Sequence, residues 1–217
     1  MPDYAAQRSN MVASQILANG ITDPRLLDAF GAVPREAFVR AEKRSVAYAD
    51  APIELVHHRW LLEPRTFAGM LRLAEIQPSD RVLDVGCTTG YSTVVLARIA
   101  NRTTGLEEDA DFVRIASDTL RALGVTGAAI VQGSLAEGCP SAAPYDVVIV
   151  NGAIEVPPQR LLGQLADGGR LVAISQQNAA GQAILYRKEE GHAGRRFAFD
   201  ASAPVLNGFR QPARFVF

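Results

Sequence analysis

Two acids and two glycines stand at a spacing that suits ligand binding better than packing. Asp84 interrupts the apolar residues Val82, Leu83 and Val85; the run ends on Gly86, Gly90 follows, and Tyr91-Ser92-Thr93 leads into the apolar-rich stretch 94–99. This order predicts a buried strand, a tight turn and a helix. Glycine has no side chain to intrude and tolerates dihedrals that other residues avoid, so such a turn lets backbone come close to a ligand. A second acid, Glu107, closes the next candidate strand, Thr103-Thr104-Gly105-Leu106. An acid about 20 residues beyond the glycine turn can accept hydrogen bonds from ribose hydroxyls, in the crevice outside the strand ends. The pair predicts a nucleoside site.

The turn narrows the choice of nucleoside. A dinucleotide fingerprint reads G-x-G-x-x-G, whereas this chain has Gly86-Cys87-Thr88-Thr89-Gly90 with Asp84 two residues ahead. An acid at the strand end repels a pyrophosphate and suits a ligand that carries an ammonium group, so a nicotinamide dehydrogenase is poorly served. The pattern D-x-G-x-x-x-G resembles motif I of the class I S-adenosylmethionine-dependent methyltransferases, [DE]-x-G-x-G-x-G, with Thr88 where the middle glycine usually stands. The resemblance implies S-adenosyl-L-methionine as cofactor and S-adenosyl-L-homocysteine as product. It places Asp84, Gly86, Cys87, Thr88 and Gly90 against the methionine portion and Glu107, with Glu108 beside it, at the ribose. Ser134 and Leu135 would border the adenine.

The elements that must position these residues follow from periodicity. Met11, Val12, Ile16 and Leu17 recur at helical spacing up to Asn19-Gly20, and Asp23-Pro24 starts a second helix. A loop-rich segment follows. Phe112, Ile115, Ala116, Leu120 and Leu123 trace one helical face closed by Gly124. Strands are predicted at 128–131, 145–150 and 170–175, a helix at 161–165, and an antiparallel pair at 183–188 and 195–199. Apolar strands alternating with helices predict an α/β fold, a doubly wound, Rossmann-like and mostly parallel sheet with an N-terminal helical cap. The expected division is a cap and acceptor loop over residues 1–64, packed on a cofactor-binding α/β domain over 65–217.

Composition sets outer limits. The chain has 217 residues, 48% hydrophobic and 21% charged, enough to bury a core as one domain with an extension. A net charge of −1 supplies no broad basic field, so nucleic acid is not an expected partner. No apolar run reaches the roughly 18 residues of a membrane span, and the first residues lack the order of a signal peptide. A cytoplasmic protein with no membrane partner is the expectation. Cys87 and Cys139 show neither metal-ligand spacing nor a disulfide framework, so two free thiols and no metal are expected.

Several ordered motifs carry a closer resemblance. Met11-Val12-x-x-Gln15, Gly20-Ile21-x-Asp23-x-Arg25-Leu26-Leu27, Val33-Pro34-Arg35-x-x-Phe38-Val39 and Ala47-Tyr48-x-Asp50-x-Pro52 are similar to N-terminal signatures of the protein-L-isoaspartate (D-aspartate) O-methyltransferase family. Gly133, Gly138 and Pro140, then Ala143-Pro144-Tyr145-Asp146, Gln164-Leu165 and Gly168-Gly169-Arg170-Leu171-Val172, continue it over roughly residues 8–190. Membership implies methyl transfer to a carboxylate of damaged aspartyl residues, with a protein or peptide as acceptor.

The acceptor loop departs from that family. Aligned on Pro52 and Pro64, a pattern close to G-x-G-Q-T-I-S-Q-P becomes Val56-His57-His58-Arg59-Trp60-Leu61-Leu62-Glu63-Pro64, with Leu62 on the serine that the family places beside the acceptor carboxylate. No hydroxyl remains there, and a lost donor at a polar site costs about 1–3 kcal/mol. His57, His58, Arg59, Trp60 and Glu63 could form a remodelled pocket, taking an unidentified small-molecule acceptor, with the arginine clamping an anion and a histidine as base. Alternatively Trp60, Leu61 and Leu62 pack on the sheet while the charged residues are solvated, and the site is closed. Ser134 stands where the family shows an aspartate toward the adenine, and Asn151 is placed either to bond ligand or acceptor or to cap the next helix. The reading is an S-adenosylmethionine-dependent O-methyltransferase; the alternative is a catalytically silent or acceptor-shifted relative that still binds the cofactor.

Overall fold

A computed structural model describes residues 2–56, 58–176 and 181–212. Asp3 caps helix α1 (Tyr4–Met11) by accepting from the amide of Ala6. The predicted helical face continues to Asn19, but through a π-helical stretch (Val12–Ile16) and a 3-10 turn (Leu17–Asn19), and ends on Gly20 at φ 74°. Helix α2 (Pro24–Ala32) is capped by Asp23 and stops before Val33-Pro34, where proline denies the next turn its amide. The loop-rich segment contains 3-10 turns at Arg35–Phe38 and Ala41–Val46, then a two-stranded hairpin, β1 (Ile53–Glu54) and β2 (Trp60–Leu61). Helix α3 (Pro64–Ala74) follows, with Phe67, Met70, Leu71 and Ala74 buried. Neither hairpin nor α3 was anticipated, although Pro64 at a first turn and the spacing of those apolar residues were there to be read.

The α/β body then alternates strand and helix except between β5 and β6, which a loop with a 3-10 turn joins: β3 (Arg81–Val85), α4 (Tyr91–Ala97), β4 (Arg102–Glu107), α5 (Ala110–Ala122), β5 (Ala128–Gln132), β6 (Tyr145–Ile154), α6 (Gln159–Gly163) and β7 (Leu165–Ser175). An antiparallel pair, β8 (Gln182–Glu189) and β9 (His192–Asp200), completes it. The seven-stranded sheet has the order β5-β4-β3-β6-β7-β8-β9, parallel from β5 to β7 and antiparallel beyond. Strands β6 and β7 are longer than predicted because irregular register between Tyr145 and Val147, and again between Ile149 and Ala153, absorbs residues that read as turn. Chain order reverses between β3 and β6, the position at which open α/β sheets bind ligands.

Alternate residues of each central strand serve opposite faces. Val82, Val147, Ile149, Val172 and Ile174 pack with the N-terminal helices, α3 and α4, while Leu83, Val85, Val148, Val150 and Leu171 face the other side. An aromatic node joins the N-terminal segment to the body just behind the glycine turn. Phe30 lies 5.6 Å from Phe67, and Tyr91 lies 6.5, 5.5 and 6.2 Å from Phe30, Phe38 and Phe67, all between ring centroids. Arg35, fully buried, sits 4.8 Å from the Tyr91 ring and donates to the carbonyls of Ala47 (2.8 Å) and Leu62 (2.6 Å). Among the described residues no helix is long and apolar enough to cross a membrane.

Because Phe30 belongs to the same buried cluster as the sheet, Phe30→Ala is expected to destabilise the whole chain by about 3–5 kcal/mol. Urea denaturation should show one transition for helix and sheet signals together. A separate early transition of the N-terminal segment would contradict this arrangement.

Candidate functional site

The site lies beyond the carboxyl ends of β3, β4 and β6. Asp84, near the end of β3, is fully buried on the side of α4. One carboxylate oxygen accepts from Ser92 Oγ (2.7 Å) and Thr93 Oγ1 (2.5 Å), and the other from Asn151 Nδ2 on β6. Burial pushes its pKa up to about 6; the three hydrogen bonds oppose this and the nearby Glu107 adds to it. Asn151 is therefore a buttress for Asp84 within the strand and caps no helix.

The glycine turn is held against β4. The amides of Gly86 and Cys87 donate to the Leu106 carbonyl at 2.9 and 3.3 Å, and Gly86, Thr88 and Gly90 have φ of 75°, 49° and 93°. Thr88 thus adopts the left-handed conformation at the position where motif I usually carries glycine. Its amide is spent on Glu107 Oε2 at 2.9 Å. The Cys87 thiol is buried and its pKa is raised by that burial, so it is an inert packing group rather than a nucleophile.

Glu107 has no solvent exposure and a full set of partners. Its Oε1 accepts from Arg59 Nη1 (2.6 Å) and the amides of Glu108 (2.9 Å) and Asp109 (3.2 Å), and its Oε2 from Arg59 Nη2 (2.8 Å) and Thr88. Arg59 comes from the loop of the β1–β2 hairpin. A Cβ on Gly86 would lie 3.2 Å from Arg59 Nη2 and 3.2 Å from Leu206 Cδ1, so the glycine makes room for these two side chains. Leu206 belongs to a tail segment bound to β6: Ala153 donates to the Pro204 carbonyl and accepts from the Leu206 amide at 2.9 and 3.0 Å. Asn207 Nδ2 donates to Glu108 Oε2 at 3.2 Å.

The crevice is nearly filled at its base. Between Trp60, Leu62, Gly86, Thr88, Ser92 and Asn151 only about 10 Å³ remains, room for one water at most. A cavity of about 280 Å³ lies above, lined by Arg59, Trp60, Glu108, Asn151, Leu206 and others. An open groove of about 960 Å³ runs on the other side of Trp60 and Leu62, past Glu63, Arg65, Glu155 and Ser202.

The remaining expectations divide. Leu61 and Leu62 are buried and Trp60 partly so, which matches the apolar half of the packed reading; its other half, solvated charged residues, fails at Arg59, which is largely buried against Glu107. Arg59 turns inward onto Glu107 instead of offering its fork to an anion, because a buried carboxylate needs that cation. His58 is 98% exposed, 3.9 Å from Glu54 Oε1, and no acid or base partner in the crevice meets it; His57 lies outside the described residues. Ser134 is exposed, while Leu135 is a core residue packed with Leu106 and Cys139, and neither is drawn into the crevice in this form. Both cysteines are free, and the described residues hold no cluster suited to a metal ion. Ser92, Thr93, Leu206 and Arg35 were missed. The hydroxyl pair on the first turn after Gly90 was a readable signal; Leu206 reaches the site from a distant stretch with none.

A sequence model described as protein-L-isoaspartate(D-aspartate) O-methyltransferase matches residues 6–198. The chain belongs to this family. Curated relatives include "Protein-L-isoaspartate O-methyltransferase 1" of Rhodopseudomonas palustris (strain HaA2), 40% identical over 169 residues, which cover 78% of this chain and 69% of that protein. "Protein-L-isoaspartate O-methyltransferase" of Koribacter versatilis (strain Ellin345) is 35% identical over 213 residues, covering 97% of this chain and 96% of the relative. Among solved structures, a Plasmodium falciparum protein described as a member of this family in complex with S-adenosyl-L-homocysteine superposes with a TM-score of 0.80. It is 19% identical, over 92% of this chain and 98% of that one, a likeness of fold. The class I methyltransferase fold expected from motif I is the fold observed.

The Asp84 environment sets a pH signature. A carboxyl whose folded pKa lies above its ordinary value contributes most stability when protonated, below about pH 4, and loses that contribution as pH rises through about 6. Asp84→Asn removes the titration. The stability of the wild type relative to this variant should therefore fall by on the order of 2–3 kcal/mol between pH 4 and 7, then level off. Urea midpoints across that range measure it, and a constant difference would contradict the burial account.

Proposed function

We propose that this chain is an S-adenosylmethionine-dependent O-methyltransferase that esterifies a carboxylate of isoaspartyl residues in proteins or peptides. The observation that carries the reading is the family match over nearly the whole chain, together with acids at the ends of β3 and β4 flanking a glycine turn at the switch point. The donor's chemistry suits this set: a buried carboxylate favours an ammonium group, and a second one two hydroxyl donors.

The space does not suit it in the form described. Glu107 is saturated, Arg59 and Leu206 lie over Gly86, and about 10 Å³ is left beside the turn. Beside the turn this conformation leaves no room for a ligand group, and the larger space is the cavity of about 280 Å³ above it. What the chain's own residues do here is plain: Ser92, Thr93 and Asn151 hold the Asp84 carboxylate in place, Arg35 fixes the backbone at Leu62, and the open groove beside Trp60 and Leu62 offers an extended peptide room to lie. The absence of a hydroxyl at Leu62 leaves recognition of the acceptor carboxylate to other groups along that groove.

Incubation with methyl-labelled S-adenosylmethionine and an isoaspartyl peptide, beside the same peptide in aspartyl form, tests the activity. Base-labile label in the isoaspartyl peptide alone is expected. No label in that peptide at a donor concentration shown by calorimetry to saturate the protein would overturn the acceptor assignment.

A further inference from the structure

An acid suited to a ribose, already held by an arginine, is a conflict that one arrangement resolves. We infer that Arg59 is an internal occupant of the nucleoside subsite, holding Glu107 through the two oxygens that a ribose diol would use, so that an S-adenosyl ligand binds only in exchange for Arg59. The inference rests on the reading above that the crevice accepts an S-adenosyl nucleoside.

The hydrogen-bond inventory argues for an exchange rather than an addition. A carboxylate has about four lone-pair sites, and Glu107 already receives five donors. Three are amides of the glycine turn and of the start of α5, fixed by the backbone. Only the two guanidinium donors belong to another segment and can leave, and they come as a parallel pair on the two different oxygens. A vicinal diol offers the same count of donors. The packing agrees, since Arg59 Nη2 lies close over the turn, 3.2 Å from where a Cβ on Gly86 would stand.

The hairpin is built for such a withdrawal. Its base is anchored: Ile53, Leu55, Leu61 and Leu62 are buried and Arg35 holds the Leu62 carbonyl. Its far end is more lightly held: among the described residues two pairs link β1 and β2, His58 is exposed at φ 56°, and the Arg59 backbone bonds to Leu55 and Val56. Trp60, the one tryptophan in the sequence, sits next to Arg59 and lines both the residual space at the turn and the larger cavity above it.

Calorimetric titration of S-adenosylhomocysteine into wild type, Arg59→Ala, Arg59→Gln and the double variant Arg59→Ala/Glu107→Gln tests the exchange, with circular dichroism confirming folding of each. Both single variants are expected to bind at least tenfold more tightly than wild type, and the double variant, which keeps no unpaired buried charge, to lose that gain. In the wild type, saturation should shift the Trp60 emission maximum. If the wild type binds and neither folded single variant binds more tightly, or if it binds without any change at Trp60, Arg59 is a fixed structural partner; the exchange is then overturned and the donor reading stands. If no folded variant binds, the donor reading falls and the exchange with it.

Discussion

A carboxylate withdrawn from water must be fully partnered or it neutralises, and two such groups stand side by side at the centre of this molecule. Their solutions differ. Asp84 is served by neutral donors alone, two hydroxyls from α4 and an amide from β6, which offset only part of the rise that burial imposes on its pKa. Glu107 recruits a guanidinium and three backbone amides. The first arrangement leaves a site that favours a cation, since no positive charge touches Asp84; the second has already found one. The hairpin, the glycine turn and the start of α5 all supply donors to Glu107, and α4 and β6 supply those to Asp84.

Support for the hairpin comes from behind the turn. Tyr91 opens α4 directly after Gly90 and meets Phe30, Phe38 and Phe67 on one side and the Arg35 guanidinium on the other. Arg35 then reaches the carbonyls of Ala47 and Leu62, on either side of the hairpin. Both links run from the helix that carries Ser92 and Thr93 to the loop that carries Arg59. The N-terminal helices therefore do more than cover one face of the sheet: they fix the distance between the element that binds Asp84 and the element that neutralises Glu107.

Local chemistry was legible wherever one segment decided it. The strand, turn and helix around 81–97, the caps at Asp23 and Gly124, and the antiparallel pair at the end all follow from adjacent residues, and the sequence motifs located both acids. The missing parts are those decided by distant segments. Nothing local shows that Arg59 turns inward, because its partner lies 48 positions away and the decision belongs to a buried charge on another strand. Leu206 fits over Gly86 and Gly152 for the same kind of reason; a Cβ at Gly152 would lie 2.5 Å from it. The glycines were readable as a place where something approaches closely. Whether that is a ligand or the chain itself is a tertiary fact.

Thr88 shows how the glycine turn and the acceptor loop are joined. A β-branched residue in the left-handed region is strained, by about 1–2 kcal/mol, and persists only where its surroundings hold it. Here the holding contact is its amide on Glu107 Oε2, beside Arg59 Nη2 on the same oxygen. The arginine pairs with that carboxylate, and the turn's amide completes its shell. A glycine at 88 would offer the same amide, so the contact itself does not call for threonine; what it does is bring the turn and the acceptor loop onto one oxygen, although 29 positions and three elements separate residues 59 and 88. A buried carboxylate on β4 thus ties two distant segments together, and that tie, not local sequence, sets how the loop lies over the turn.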